Sequence, residues 1–204
     1  ALNAYGRSGG VAFWWKKACL NVIEIINSRH AISCRCKLIQ REKELLFTGV
    51  YGPCAAKLIT ELWEDLSSVA SLVQGLPWLA GGDFNYTLTG MDRANVLMDT
   101  TSIGFLLTLQ NLGLNEFPTS GVDFTWRNGS GLMSKLDRFF GNVELLENFQ
   151  LSSVVGLQQP FSNHTPLVWD SGENVQTGSY FKFKRSWLRE EGFRKMLEAW
   201  WRAQ

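Results

Sequence analysis

The chain is 204 residues long, enough for one sizeable domain, and its 45% apolar and 19% charged residues make a globular rather than a disordered composition. No window of about 18 uninterrupted apolar residues predicts a transmembrane helix, and no basic start followed by an apolar core and a small-residue cleavage site predicts a signal peptide. The formal net charge is +1; residues 182–204 hold seven Lys/Arg against three Asp/Glu, and residues 1–181 hold thirteen against sixteen, a balance that neither demands nor excludes nucleic acid.

In chain order, strands come first. Val11 to Trp15, Leu20 to Ile26, Ala31 to Leu38 and Leu45 to Tyr51 are β-branched or aromatic runs separated by polar or Gly-containing turns. Cys34 and Cys36 are one residue apart, so a strand places both on one face. That spacing suits neither a zinc knuckle nor a CxxC redox pair, and with Cys19 and Cys54 they read as buried free thiols. The period then changes. Leu58, Leu62, Leu66, Val69 and Val73 form one stripe of a helix from Lys57 to about Gln74, and Pro77 precedes a short buried strand at Trp78-Leu79-Ala80.

A second helix carries the stripe Ile103, Leu106, Leu107 and Gln110 and closes at Gly113. Phe124-Thr125-Trp126 reads as a strand, with Asn128-Gly129 as a turn. Val143 to Phe149 reads as a short helix with Asn142 as its N-cap, and Pro166 to Trp169 as another short strand. Phe193, Met196, Leu197, Trp200 and Trp201 repeat as one face of an amphipathic helix. Strands interleaved with helices in hairpin-like groups predict a layered α/β sandwich. The domain is expected over residues 1–180, with 181–204 as a C-terminal linker and amphipathic helix.

Three polar motifs lie beside apolar strands. In Gly81-Gly82-Asp83-Phe84-Asn85 the glycines let backbone approach a ligand, and Asp83 and Asn85 would share a side if extended. An acid beside an amide suits proton transfer and oxyanion stabilisation, although a Gly-Asp turn capped by its own side chains reads equally well. Ser134-Lys135-Leu136-Asp137-Arg138-Phe139, taken alone, reads also as a strand whose Asp137 and Arg138 face solvent. Ser162-Asn163-His164-Thr165-Pro166-Leu167 holds one of the two histidines in a polar turn. A general-base histidine needs an orienting carboxylate, for which Asp137 is a candidate; the alternative is a surface histidine with no role.

Gly-Asp-Phe-Asn, then Leu-Asp-Arg-Phe, then Ser-Asn-His-Thr-Pro-Leu, in this order, resemble the endonuclease/exonuclease/phosphatase superfamily, and within it the endonuclease domains of plant LINE-type (non-LTR) retrotransposons. Arg7-Ser8-Gly9-Gly10-Val11, Val50-Tyr51-Gly52-Pro53, Pro77-Trp78, Phe124-Thr125-Trp126 and Phe181-Lys182-Phe183 followed by Trp187-Leu188 match that subgroup as well. The resemblance implies an α+β, four-layer α/β sandwich of two mixed β-sheets flanked by helices. It implies Mg²⁺-dependent cleavage of phosphodiesters, DNA as partner and an intracellular, nuclear place of work. Asp83 would serve the leaving group, Asn85 would steady the pentacovalent phosphate, Asp137 would orient His164, and Tyr51 would contact the phosphate.

Two departures lead us to expect a degenerate enzyme. The third family motif is Ser-Asp-His, and Asn163 stands where the Asp metal ligand should be. A neutral amide holds a dication less well than a carboxylate. The chain is also expected to be N-terminally truncated, starting downstream of the opening strand with its Asn and of the Glu that is the principal metal ligand. Glu24, the first acidic residue, lies in an apolar alternating strand without a family motif. Missing central strands would leave sheet edges open and favour self-association. The rival readings are a non-catalytic nucleic-acid binding module and an active phosphatase of the same superfamily.

Overall fold

Alternation with period two builds the first half of the molecule, and one long amphipathic helix turns it into a mixed sheet. The computed structural model describes residues 1, 2, 9–73, 75–93, 100–157, 162–172, 192 and 193. They belong to two compact units, Ala1–Glu173 and Asn174–Gln204. Apart from Gly192 and Phe193, the helix expected over 193–201 and the basic stretch 182–204 lie outside the described residues, as do Arg7 and Ser8.

The first unit opens with β1 (Leu20–Asn27), β2 (Ala31–Leu38) and β3 (Lys43–Tyr51), a meander of antiparallel neighbours. Helix α1 (Ile59–Val73) carries the chain over the sheet to β4 (Trp78–Asp83), which pairs parallel to β3, as a crossover requires. After α2 (Thr100–Asn111), β5 (Asn115–Glu116) and β6 (Thr119–Ser120) comes a small hairpin, β7 (Trp126–Arg127) with β8 (Met133–Ser134). Strand β9 (Asp137–Gly141), helix α3 (Val143–Asn148), β10 (Ser153–Gly156) and β11 (Leu167–Asp170) complete the unit. The larger sheet has the order β1-β2-β3-β4-β9-β5 and the smaller one β11-β10-β6; both are mixed. This is the expected class, two mixed β-sheets with helices against them.

Each face of the larger sheet has its own core. Leu62, Leu66, Val69 and Val73 of α1 pack with Leu46, Val50, Trp78 and Ala80 from the sheet, and with Phe84, Phe105 and Phe140. On the other face Leu79 and Phe139 pack with Phe117, Leu145, Phe149 and Val154, which closes the smaller sheet over the larger. Cys34 and Cys36 do share a buried face, beside Ile32, and burial pushes the Cys36 thiol up to about 12. Cys19 and Cys54, in contrast to the expectation, are exposed. Among the described residues, no helix is long and apolar enough to cross a membrane.

Three expected elements differ in detail. The stripe of α2 was expected along Ile103, Leu106 and Leu107, but these are 47%, 40% and 53% exposed, and Ser102, Phe105 and Leu109 face the core instead. Apolar side chains cover two adjoining sides of the helix, Ile103, Leu106 and Leu107 on one and Phe105 and Leu109 on the other, so the largest ring decides. Phe105 stacks on Trp63 at 4.9 Å and on Phe84 at 5.3 Å. Val11 to Trp15 does not form a strand. Among the described residues it makes a single bridge, Leu2 with Val11, and Val11 and Phe13 pack against the Ile32 cluster. The strand expected at 124–126 shrinks to Trp126–Arg127. Strand β1 is an edge of the larger sheet and carries Ile23 and Ile25 about half exposed, at 47% and 49%.

Candidate active site

Register gathers the acidic residues. Tyr51 ends β3 opposite Asp83, which ends β4, and Asp83 in turn lies opposite Asp137, the first residue of β9. Residues directly opposite one another share a face, so the three form a row across the end of the sheet. Glycines make that row possible. A Cβ on Gly81 would sit 2.2 Å from the Phe139 ring, and one on Gly52 would sit 2.1 Å from the Phe84 carbonyl.

His164 comes to the row from the turn before β11. Its Nδ1 lies 2.9 Å from Asp137 Oδ2, and its Nε2 lies 3.9 Å from Asp83 Oδ2. Against an ionised carboxylate the ring nitrogen donates, so Nδ1 carries the proton and Nε2 faces Asp83 and the cleft. A cavity of about 260 Å³ beside the pair is lined by Gly82, Asp137, Ser162, His164 and Pro166, among others.

Asn85 is placed by a tight turn rather than by an extended strand. It adopts φ 57°, its backbone N–H donates to Asp83 Oδ1 at 2.9 Å, and its Nδ2 donates to the Gly52 carbonyl at 2.7 Å. The capped-turn reading of this motif is therefore realised, with the acid and the amide still side by side. Asn163 is exposed, and its backbone carbonyl accepts from Arg127 N at 2.9 Å.

Two supporting features were not read from the sequence. Thr125 is buried, and its hydroxyl accepts from both Leu136 N and Asp137 N, at 3.0 and 2.9 Å. Its carbonyl accepts from Thr165 N at 2.6 Å, so one residue anchors the backbone beside both members of the His164–Asp137 pair. The only hint was a hydroxyl among the aromatics of Phe124-Thr125-Trp126. The second feature is Arg138. It does not face solvent: its side chain is 1% exposed, with Nη2 2.7 Å from Asp92 Oδ2 and Nη1 2.5 Å from Glu116 Oε1. Lys135 joins Glu116 at 2.7 Å. Burial pushes the Asp92 carboxyl up, but Arg138 and the backbone N–H groups of Thr89 and Leu88 outweigh it and hold the group below its ordinary value.

The row's electrostatics follow from burial and crowding. Burial first, then the charge of Asp137, pushes the Asp83 carboxyl up to about 6, against the pull of the Asn85 N–H and His164. The hydrogen bond to Asp137 raises the His164 pKa, against the opposing effect of burial. Asp83 thus holds its proton more tightly folded than unfolded, where its value is near 4. The stability it contributes is full below that value and is lost as pH rises through about 6. His164 acts in the same direction: its contribution is present below its ordinary value and is lost as pH rises through the raised one. We therefore expect the chain to lose stability between pH 5 and 8. Asp83→Asn should be more stable than the parent at pH 8, by on the order of 2 kcal/mol, and this gain should shrink toward pH 5. Urea unfolding across that range measures it; an equal gain at both ends would exclude titration as the cause.

Asp83, Asp137 and His164 are the one group among the described residues able to hold a metal ion, with one ligand atom each within 4.8 Å of the others. The set fits Mg²⁺ poorly. That ion favours carboxylate and other oxygen ligands in octahedral geometry. Here one donor is an imidazole, Asp137 Oδ2 is engaged by His164, and Asp83 is half protonated near pH 6.

No family model matches the chain. A Xenopus laevis protein described as the transposon TX1 uncharacterized 149 kDa protein is 31% identical over 167 residues, covering 76% of this chain. The chain spans only 12% of that relative's length. Among solved structures, the endonuclease domain of TRAS1, a telomere-specific non-LTR retrotransposon, superposes with a TM-score of 0.59 at 20% identity, covering 74% of this chain and 68% of that one. An endonuclease/exonuclease/phosphatase family protein from Bacteroides thetaiotaomicron gives 0.56 at 14% identity, covering 75% and 65%. A mannosyl-6-phosphatase from the same bacterium gives 0.54 at 13% identity, covering 76% and 68%. At these identities the likeness is one of fold, and the fold is that of the endonuclease/exonuclease/phosphatase proteins.

Proposed function

We propose that this chain is a DNA-directed phosphodiesterase domain of the LINE-retrotransposon kind, working on nuclear DNA by ancestry, whose acid–base half is intact and whose metal half is depleted. The observation that carries the reading is the hydrogen bond of 2.9 Å between His164 and Asp137, set in one row with Asp83 and Tyr51. In this reading His164 Nε2 exchanges a proton with the attacking water and Asp137 holds the ring. Asp83, its carboxyl near 6, serves the leaving oxygen. Asn85 and Tyr51 contact the phosphate. The transposon relative and the TRAS1 domain support DNA as the partner over a small phosphate ester.

Mg²⁺ would supply charge neutralisation at the phosphate. Within these 204 residues the carboxylates for it are short: Asn163 is neutral, and Asp83 and Asp137 are crowded against each other. Loss of one electrostatic element costs on the order of 10²–10³ in rate. The 204-residue chain is therefore expected to nick no supercoiled plasmid in Mg²⁺ above background, and Asn163→Asp alone should not restore nicking. Plasmid nicking that EDTA and His164→Ala both abolish would overturn the reading of a depleted metal site. Release of phosphate from a sugar phosphate without any DNA binding would favour the phosphatase reading.

A further inference from the structure

Beside the row lies a larger cavity, about 740 Å³, of whose lining the roles above use only Tyr51. Val11, Pro53 and Leu58 give it an apolar lining, and Arg29, His30 and Glu61 contribute polar groups. Tyr51 also lines it, and Tyr51 is the register partner of Asp83, one strand spacing of about 4.8 Å away. We propose that this cavity binds an unpaired nucleobase next to the phosphate held at the row, and that Glu61 makes it prefer cytosine to thymine. The inference rests on the reading that nucleic acid is the partner.

Volume and lining both suit a base. Sites for small planar groups typically measure about 300–1,000 Å³ and combine apolar walls with a few fixed polar groups. Unstacked bases are recognised by apolar or aromatic contact on their faces and by hydrogen bonds at their edges. The polar edge here is held on two sides. Arg29 Nη1 donates to Glu61 Oε2 at 2.6 Å, and His30 Nε2 lies 3.2 Å from the same oxygen. The backbone N–H of His30 donates to Asp65 Oδ2 at 2.8 Å, which ties the β1–β2 turn to helix α1. Among the described residues, both contacts to the Glu61 carboxylate engage Oε2, and Oε1 takes neither. The hydrogen bond from Arg29 also holds the Glu61 carboxyl below its ordinary value, so it stays an acceptor.

An acceptor fixed in this way discriminates by chemistry. Cytosine carries an amino group at the ring position where thymine carries a carbonyl oxygen, and a carboxylate accepts from the first and repels the second. A site built around one hydrogen-bond polarity rejects the opposite polarity more strongly than an apolar pocket rejects an extra methyl.

The test is fluorescence anisotropy of the 204-residue chain with short fluorescein-labelled oligocytidine and oligothymidine strands at low salt, where phosphate contacts are strongest. We expect the cytosine strand to bind about five- to tenfold more tightly. Glu61→Gln keeps the shape but offers an amide N–H to the thymine carbonyl, and should bring the two affinities within about twofold. Ala55→Trp, from an exposed position on the cavity wall, should weaken both strands alike by about tenfold. Circular dichroism melting checks that each variant is folded; if Ala55→Trp is not, Glu61→Gln decides. No preference in the parent, or a preference that Glu61→Gln leaves unchanged, overturns the cavity as a base site while DNA binding stands. Failure of the parent to bind either strand overturns both the cavity and DNA as partner. The nicking assay reports separately on the metal half of the site.

Discussion

Arg138→Leu is expected to lower the unfolding free energy by about 3–5 kcal/mol, the range for removing one partner of a buried ion pair. The guanidinium is 1% exposed and joins three parts of the fold: the turn at Asp92, strand β5 through Glu116, and its own strand β9. With leucine in its place, Asp92 keeps, among the described residues, the N–H groups of Leu88 and Thr89, at 2.7 and 2.6 Å, and Glu116 keeps Lys135. Two carboxylates would then share a partly buried pocket without their common cation, and self-repulsion would add to the desolvation cost. Arg138→Lys should recover only part of the loss, because a single ammonium cannot reach both carboxylates in the planar fork that Nη1 and Nη2 provide. Urea unfolding of the three proteins checks this; a loss under about 1 kcal/mol for Arg138→Leu would show that Asp92 and Glu116 regain solvent at little cost.

Gly82→Ala should be comparably severe, at about 3 kcal/mol or more, and should also disperse the active-site row. Gly82 has φ 145°, a backbone conformation that side chains disfavour, and a Cβ there would sit 2.1 Å from the Val50 carbonyl oxygen. The obstacle is backbone of the neighbouring strand rather than a side chain that can rotate away. Relief therefore means separating β3 from β4 at the position next to the Tyr51–Asp83 pair. Backbone strain alone accounts for about 1–3 kcal/mol, and the lost strand pairing adds to it. The His164 imidazole reports the second effect. If Asp83 is displaced and Asp137 keeps its place, the ring loses one of the carboxylates near it, and its pKa falls toward the ordinary histidine value. NMR titration of His164 in Gly82→Ala should show that fall; an unchanged titration together with unchanged stability would mean the strands absorb the methyl group.

What the sequence determined alone is local. Strands β2, β3 and β11 and helix α1 were legible because alternation and a 3.6-residue stripe are set by neighbours within one or two turns of chain. The N-cap at Asn142 was legible for the same reason; its side chain accepts from Leu145 N at 3.0 Å. Candidate site residues stood out because polar groups interrupt apolar runs there, and the order of three motifs carried the resemblance that predicted the sandwich. Tertiary structure decided everything that depends on distant partners. Helix α2 has apolar side chains on two adjoining sides, so its buried face was chosen by where Phe105 meets Trp63 and Phe84, not by its own period. Arg138 looks like a solvent-facing charge until Asp92 and Glu116 arrive from other elements to neutralise it. Thr125 acquires its place from two backbone N–H groups eleven and twelve residues away. Val11 to Trp15 has the composition of a strand, yet among the described residues it finds only Leu2 to pair with. A strand is a relation between two segments, and no single segment specifies its partner.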